Sequence, residues 1–333
     1  MPKVSIVIPT KNEAKHLPSV IDSLLNQNFP KEEMEILIVD GRSTDNTRDI
    51  VEQYHLKYKS VHLIDNPRGY TPFAFNAGIR NAKGEIIFFM SAHTYYSKNF
   101  ISTVVKYISE GMAECVGSIA NTLPGNDTLI AESIAIVLSS PFGVGNSYMR
   151  IGHDSLRYVD TAGCSGYKKE VFEKIGFFNE KLIYSQDIEF NHRLRKAGMR
   201  ILLVPDIISN YYARPDYWSF CKHNFRNGLW SILPFRYSKI IPLSLRHLIP
   251  LAFVASLIGS LVLASISSIF LQLFLIISGA YLCANLIYTI KIFLKSKKIK
   301  HLFVLPVIFA SLHIVYGFGS LWGLIKLLRK SPE

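Results

Sequence analysis

Between Arg246 and Lys291 the chain carries no Lys, Arg, Asp or Glu, and no other feature limits its folding choices as strongly. A helix crosses a bilayer core about 30 Å thick with roughly 20 apolar residues, so this run is long enough for two passes. A hairpin bend fits at Ser265 to Ser268. A second charge-free run, His301 to Ile325, can supply a third pass, while Gly317, Gly319 and Gly323 leave a broken or re-entrant helix open there. The competing reading, a buried helical bundle of a soluble protein, is disfavoured by the length of the first run.

Charge divides the chain near the same place. After Asp216 the only acidic residue is Glu333, against 13 Lys and Arg, whereas residues 1–216 hold 24 basic and 24 acidic side chains. The net charge of +12 therefore belongs to the C-terminal third. The basic residues flank the apolar runs: Arg236, Lys239 and Arg246 before the first, "KIFLKSKKIK" after it, and "KLLRK" after the last. The first two clusters obey the positive-inside rule if the N-terminal region is cytoplasmic and the first run forms a two-span hairpin. A third span would carry Lys326, Arg329 and Lys330 outside, against the rule. Such a cationic collar attracts anionic head groups, each basic residue contributing about 1 kcal/mol near the surface. Lipid anchoring and capture of an anionic lipid-linked substrate explain it equally well. No nucleic-acid partner is expected.

Cys115, Cys164, Cys221 and Cys283 are scattered without a Cys-x-x-Cys pair, which suggests neither a zinc site nor a disulfide framework and suits a reducing cytosol. The opening "MPKVSIVIPT" reads as a strand followed by turn residues rather than as a signal peptide. The sequon "NDT" at Asn126 is a chance match if that region stays cytosolic.

Residues 1–216 alternate strand, loop, helix and strand. "KVSIVIP" and "EILIVDG" are strands; "TKNEAKHLPSVIDSLLNQ" and "STDNTRDIVEQY" run from loop into helix, the second with Thr44 placed to cap it. Alternation of this kind predicts an α/β fold with a mainly parallel sheet covered on both faces, and ligands in such sheets lie beyond the carboxyl ends of the strands. Those ends carry "PTKNE", "DGRSTD" and "SAH". There is no G-x-G-x-x-G fingerprint and no P-loop, so a nucleotide must be held some other way. Asp40, closing an apolar strand, can accept hydrogen bonds from a base edge or ribose, or can simply form the turn. "SQDIEFNHRLRKAG" reads as a helix with Ser at its mouth, basic residues in its last turn and Gly198 beyond. Asp187 in its first turn is either an end-charge device or a reactive carboxylate.

These segments, in this order, resemble the family 2 glycosyltransferases with the GT-A fold, and within them the bacterial membrane enzymes that extend exopolysaccharides such as succinoglycan. The carrying stretches are "VSIVIPTKNE", "EILIVDGRSTDNT", "NPRGYTPFAFNAGIRNAKGEIIFFMSAH", "FGVGNSYMR", "VDTAGCSGYKKEVFEKIGFFNE", "SQDIEFNHRLRKAG" and "HNFRNGLWS". The resemblance implies a Rossmann-like GT-A domain over residues 1–215, and the charge and apolar runs then mark a basic interfacial connector over 216–246 and transmembrane helices, two or three spans, over 247–330. It implies nucleotide contacts at Pro9, Thr10, Asn12, Glu13, Asp40 and Arg68, to which the neutral hydroxyl of Ser91 can add a contact to ribose or a metal-bound water. It also implies a general base at Asp187, and an acceptor side formed by Gln186, His223 and Arg226. The family places Asp-x-Asp or Asp-Ala-His at the end of the fourth strand to hold a divalent ion; this chain keeps His93 and has Ser91 where the leading Asp would stand.

The implied activity is inverting transfer of a sugar from a nucleotide diphosphate, a UDP-sugar, to a polyprenyl-diphosphate-linked or growing glycan at the cytoplasmic face of the inner membrane. Membrane lipids are further expected partners. Mg²⁺ or Mn²⁺ is the expected cofactor, weakened by the neutral Ser91, with imidazole nitrogen favouring Mn²⁺. His93 merely capping a strand is the plain alternative. At the level of the whole chain, the alternative is a catalytically impaired nucleotide-binding scaffold of a polysaccharide assembly complex. A channel or transporter is disfavoured because the apolar runs contain no intramembrane acid or base.

Overall fold

The computed structural model describes residues 2–238 and 244–329; Lys239 and Lys330, counted among the basic clusters, lie outside them. In chain order the strands are β1 (Val4–Thr10), β2 (Met34–Asp40), β3 (Val61–Asp65), β4 (Ile86–Phe89), β5 (Tyr95–Tyr96), β6 (Cys115–Leu123), β7 (Arg157–Tyr158), β8 (Ser165–Lys168) and β9 (Ile201–Tyr212). The helices of the first half are α1 (Leu17–Leu25), α2 (Thr47–Lys57), α3 (Thr71–Asn81), α4 (Phe100–Ser109), α5 (Leu129–Leu138), α6 (Pro141–Val144) and α7 (Tyr148–Ile151). They continue as α8 (Glu170–Ile175), α9 (Gln186–Lys196), α10 (Tyr217–Ile232), α11 (Pro234–Tyr237), α12 (Leu245–Leu263), α13 (Ser268–Ser296) and α14 (His301–Leu328). They form two compact units: Met1–Asn121 with Gly152–Tyr211, and Thr122–Ile151 with Tyr212–Glu333.

The first unit holds one sheet in the order β3-β2-β1-β4-β8-β6-β9-β5, with β7 on β9. Its first four strands are parallel, and β8 joins β4 antiparallel. The parallel strands are apolar on both faces because both are covered. With side chains alternating every residue, Ile6, Ile8, Ile36, Ile38 and Phe88 enter a core shared with α1 and α4. Val7, Leu37, Val39, Ile87 and Phe89 enter another with α3, α8 and α9. A Cβ on Gly78 of α3 would stand 2.3 Å from Val7 Cγ1, so only glycine allows that helix its close seat on β1.

Helix α2 begins at Thr47, with Asn46 rather than Thr44 in the capping position. Thr44 is drawn away because its N–H donates to Asn12 Oδ1 at 2.8 Å. Helix α9 ends as its sequence predicts, with Gly198 at φ 79° just past the last turn. Ser185 stands at its mouth in the left-handed region (φ 59°) without capping it through its side chain.

The second unit contains three helices long and apolar enough to cross a membrane: α12, α13 and α14. The bend between α12 and α13 falls where the sequence places it, and Ser267 Oγ accepts from Ile269 N–H there. Helix α14 runs unbroken through Gly317, Gly319 and Gly323. These glycines admit neighbouring backbones. A Cβ on Gly319 would stand 2.1 Å from Phe225 O of α10, and one on Gly317 2.4 Å from Pro250 O of α12. From α10, a Cβ on Gly228 would stand 2.0 Å from Tyr316 O. Helix α10 therefore lies directly on α14.

Asn126 spends its side chain within the second unit, donating to Pro215 O at 3.1 Å and accepting from Thr128 N–H at 3.0 Å.

Candidate active site

Register delivers the first three strands to one level, Thr10 pairing with Asp40 and Asp40 with Asp65. The loops that follow are bonded together. Asn12 adopts the left-handed region (φ 56°), which Asn tolerates better than most residues. Its N–H donates to Ser43 Oγ at 2.8 Å while its Oδ1 accepts from Thr44. Glu13 N–H donates to Thr47 Oγ1 at 2.9 Å and Ala14 N–H to Asp45 Oδ2 at 3.2 Å. The Thr47 hydroxyl, foremost, holds the Asp45 carboxyl below its usual value. The third loop touches the second at glycines: a Cβ on Gly41 would meet Gly69 Cα at 3.3 Å. Arg68, exposed beside Gly69, lies 5.8 Å from the Phe73 ring centroid. Pro9 and Thr10 remain within β1, the Thr10 hydroxyl donating to Ile8 O at 3.1 Å.

Asp40 is buried. Its Oδ2 accepts from Ser43 N–H (3.2 Å) and Arg48 Nη1 (3.0 Å), and its Oδ1 from Ser43 Oγ (2.5 Å). The same Arg48 nitrogen donates to Asp65 Oδ1 at 2.7 Å. A carboxylate offers about four acceptor positions, so capacity remains for one more donor. With no exposed side-chain surface, Asp40 shapes its loop in this structure and reaches a ligand only when the cover of Ser43 and Arg48 shifts. Arg48 and Ser43 were not singled out from sequence. Ser43 lies in the quoted strand-end loop "DGRSTD", and Arg48 follows it in the first turn of α2, so closeness in chain to Asp40 was the available signal.

At the exit of β4, His93 Nδ1 lies 3.2 Å from Glu13 Oε1. Ser91 N–H donates to Tyr96 Oη at 2.8 Å, and Tyr96 Oη donates to Ser91 O at 3.3 Å. Burial pushes the Tyr96 phenol well above its usual value, so it stays a neutral strut under the loop. Among the described residues no cluster of three or more His, Cys, Asp or Glu is suited to a metal. Glu13 and His93 still provide a carboxylate oxygen and an imidazole nitrogen side by side. That pair fits an ion that takes its other ligands from phosphate and water.

Asp187 is exposed in the first turn of α9, next to Gln186. The turn is held rigidly from below. Tyr167 Oη donates to Asn191 Oδ1 at 2.9 Å and Asn191 Nδ2 to Thr161 Oγ1 at 3.0 Å. Burial first, with the charge of Asp187 among lesser causes, pushes the Tyr167 phenol well above its usual value. Buried Glu189 accepts from Arg193 Nε at 2.9 Å, and Arg193 donates onward to Phe177 O at 2.7 Å.

In the second unit, His223 and Arg226 occupy one face of α10, where residues three apart are neighbours. Arg226 Nη2 lies 3.1 Å from His223 Nδ1, and Arg214 Nη2 lies 3.5 Å from the same nitrogen. Burial, then the charges of Arg214, Arg226 and Arg150, push the imidazole down to about 4. Arg150 closes the quoted stretch "FGVGNSYMR" but was given no role, and Arg214 lies in no quoted stretch; they are 73 and 9 residues from His223, so nothing in the spacing joins them to it.

The family model for Glycosyl transferase family 2 matches residues 5–176. A Methanococcus voltae protein is 30% identical over 97% of both chains: dolichyl N-acetyl-alpha-D-glucosaminyl phosphate 3-beta-D-2,3-diacetamido-2,3-dideoxy-beta-D-glucuronosyltransferase. Succinoglycan biosynthesis protein ExoA of Rhizobium meliloti is 28% identical over 69% of this chain and 73% of that protein. In fold, the chain is similar to mannosyltransferase PcManGT of Pyrobaculum calidifontis, solved with GDP-Man and Mn²⁺. That match has a TM-score of 0.60 at 17% identity and covers 96% of this chain and 87% of that one.

Proposed function

The chain belongs to glycosyl transferase family 2 and is a glycosyltransferase, and from that premise we propose that it inverts configuration as it moves a sugar from a nucleotide diphosphate, a UDP-sugar, to a lipid-linked glycan. The lipid is a polyprenyl phosphate or diphosphate, and the reaction takes place at the cytoplasmic face of the inner membrane. The observation that carries the reading is the pairing of Thr10, Asp40 and Asp65 at one level, with three bonded loops above them, in a chain that also holds three long apolar helices. The Methanococcus relative's action on a dolichyl-phosphate-linked sugar supports a lipid acceptor.

In this reading Asp187 accepts the proton of the acceptor hydroxyl as the oxygen attacks the anomeric carbon. The bond to the nucleotide diphosphate breaks in the same step, with no covalent intermediate. Asn12, Glu13, Arg68 and Ser91 hold the nucleotide, joined by Asp40 once Ser43 and Arg48 give way, with Pro9 and Thr10 setting the start of the first loop. Gln186 sits beside the base, and His223 and Arg226 serve the acceptor. Glu13 and His93 would hold Mn²⁺ or Mg²⁺, which supplies positive charge against the departing diphosphate.

We assign catalysis to residues 1–215, interfacial contact to the basic connector 216–246 and membrane insertion to 247–330. The α12–α13 hairpin has both ends tied to the excursion 122–151: Arg246 Nη1 lies 3.4 Å from Asn146 Oδ1, and Lys298 Nζ 2.6 Å from Glu132 Oε1. Both contacts support ends on one side of the bilayer. Helix α14 behaves differently. Its second half is covered by α10, and Arg236 Nη2 donates to Arg329 O at 3.1 Å, so its C-terminus stays with the connector. This supports a two-span enzyme with α14 at the interface, and removes the conflict with the positive-inside rule.

The test is transfer itself. Full-length protein in nanodiscs, given a polyprenyl-phosphate-linked sugar and a panel of nucleotide sugars, should lengthen the lipid-linked saccharide by one sugar, read by mass spectrometry. Nucleotide binding without transfer or donor hydrolysis would instead favour the scaffold reading, which the neutral Ser91 supports.

A further inference from the structure

Two arginines lie against one histidine in the second unit, and a third is near enough for its charge to act on that ring. Arg226 comes from the middle of α10, Arg214 from the segment just before that helix, and Arg150 from the short helix α7. Two of the guanidiniums direct an Nη2 at the same ring nitrogen, His223 Nδ1, at 3.1 and 3.5 Å. A nitrogen that accepts from a guanidinium carries no proton, so the ring is neutral with its hydrogen on Nε2. The charges acting on His223 are all positive: Arg214, Arg226 and Arg150. A protonated histidine would be repelled by all three, whereas a neutral one orients them without competing for an anion. Guanidinium forks gathered in this way match the oxygens of a phosphate group.

The surroundings indicate which phosphate. All four residues belong to the unit that contains the long apolar helices. The α6–α7 segment is tied to the head of α12, where Arg246 Nη1 reaches Asn146 Oδ1 and a Cβ on Gly145 would meet Arg246 Cβ at 3.1 Å. Helix α10 exposes Trp218 (79%) and Phe225 (36%), side chains suited to the boundary between water and hydrocarbon.

We propose that Arg150, Arg214 and Arg226, oriented by His223, form a binding site for the phosphate that joins the acceptor's sugar to its isoprenoid lipid. The proposal rests on the lipid-linked acceptor reading above and adds to it two residues, Arg150 and Arg214, and a neutral positioning residue, His223. Binding to the three arginines holds the acceptor by the one group that every saccharide on that lipid shares, whatever the sugar beyond it.

The test uses the full chain in detergent micelles with two calorimetric probes, citronellyl phosphate for the lipid phosphate and UDP for the donor, and citronellol as the phosphate-free control. Arg150→Gln, Arg214→Gln and Arg226→Gln should each weaken citronellyl phosphate binding by about tenfold, the scale of one lost charge-assisted hydrogen bond, with UDP affinity retained. Arg214→Lys, which keeps the charge and loses the fork, should fall between, and citronellol should not bind. His223→Asn, which keeps a neutral acceptor, should retain more affinity than His223→Leu. UDP affinity lost with citronellyl phosphate affinity intact would overturn the proposal by assigning the cluster to the donor diphosphate. Citronellyl phosphate affinity unchanged in all three glutamine variants would overturn it by making the cluster structural. Failure of the glycosyltransfer reading would show separately, as wild-type protein that binds citronellyl phosphate but turns over no nucleotide sugar.

Discussion

Glu13 Oε1 and His93 Nδ1 lie 3.2 Å apart, joining the loop after β1 to the loop after β4. Sequence resemblance assigns these residues separately, one to the nucleotide and one to the metal, whereas their proximity makes them one set of donors. An imidazole beside a single carboxylate favours Mn²⁺ over Mg²⁺. In the presence of UDP, Mn²⁺ should bind, seen as loss of the free-ion signal in electron paramagnetic resonance. Glu13→Gln and His93→Ala should each weaken it about tenfold, with the double variant losing less than the product because the ligands act on one ion. Ser91→Asp should tighten binding and move preference toward Mg²⁺ by adding a hard oxygen. Unchanged Mn²⁺ binding in both single variants would take Glu13 and His93 out of the ion's ligand set, and full turnover in excess chelator would leave the diphosphate to side chains, with Arg68 the next to replace.

Asp187→Asn keeps the size and hydrogen-bonding reach of the side chain and removes its ability to take a proton. Because the turn is held by Glu189–Arg193 and by Asn191, the substitution should leave its geometry in place. Turnover should fall by about 10² or more, the usual scale for a lost general base, with UDP affinity preserved. Wild-type turnover in this variant would remove Asp187 from the mechanism.

Arg48 binds Asp40 at 3.0 Å and Asp65 at 2.7 Å, and the Asp40 side chain has no exposed surface. Arg48→Met fills similar volume but leaves the buried carboxylate short of its cationic donor. Chemical denaturation should show a loss of about 1.5 to 3 kcal/mol, the range for hydrogen bonds to charged groups. If Asp40 also reads the base, Arg48→Met should alter UDP affinity and Asp40→Ala should weaken it. Unchanged UDP affinity in a folded Asp40→Ala variant would leave Asp40 a turn former alone.

What was legible in the sequence followed from periodicity and from segments whose neighbours are close in chain. The parallel strands could be read because both faces are covered and their apolar runs are continuous, and the strand-end loops follow directly from them. The apolar helices could be read because nothing charged interrupts them. The capping of α2 could not, since Asn12, more than thirty residues upstream, claims Thr44. The glycines of α14 were ambiguous for a related reason: a glycine marks a break or a close approach alike, and only the partner helix α10 decides between them. A role for Arg150 and Arg214 was invisible because their nearness to His223 depends on tertiary contact.

The His223 imidazole is pushed down to about 4, chiefly by burial. In the unfolded chain it takes a proton near its ordinary value of about 6.5. Between those values the unfolded state binds more protons than the folded one, so stability falls as pH drops from about 6.5 toward 4 and this contribution levels off below. His223→Gln removes the titration. The difference in melting temperature between wild type and variant should therefore shift against wild type as pH is lowered through that window. A difference independent of pH would mean that the ring takes its proton at the same pH folded and unfolded.

Helix α14 is 28 residues long and apolar enough to cross a membrane, and the two-span reading proposed above keeps both its ends on one side. Its start is close to Glu132 of α5, with His301 Nε2 3.7 Å from Glu132 Oε1, and its end accepts a hydrogen bond from Arg236 just beyond α10. Helix α10 carries Lys222 and Arg226, and inserting it in hydrocarbon alongside α14 would bury two charges at a cost of about 2.5 kcal/mol or more each. The bend at Ser265 to Ser268 has no such attachments among the described residues. In a background without the native cysteines, probes at Ser267→Cys should react from outside. Probes at Lys298→Cys and Leu328→Cys should react only from the cytoplasmic side. Labelling of Leu328→Cys from outside would make α14 a third span and would require α10 to leave its glycine seam. Gly228→Leu tests that seam independently: a side chain whose Cβ stands 2.0 Å from Tyr316 O cannot be accommodated, so the variant should separate the two helices and lower thermal stability wherever α14 lies.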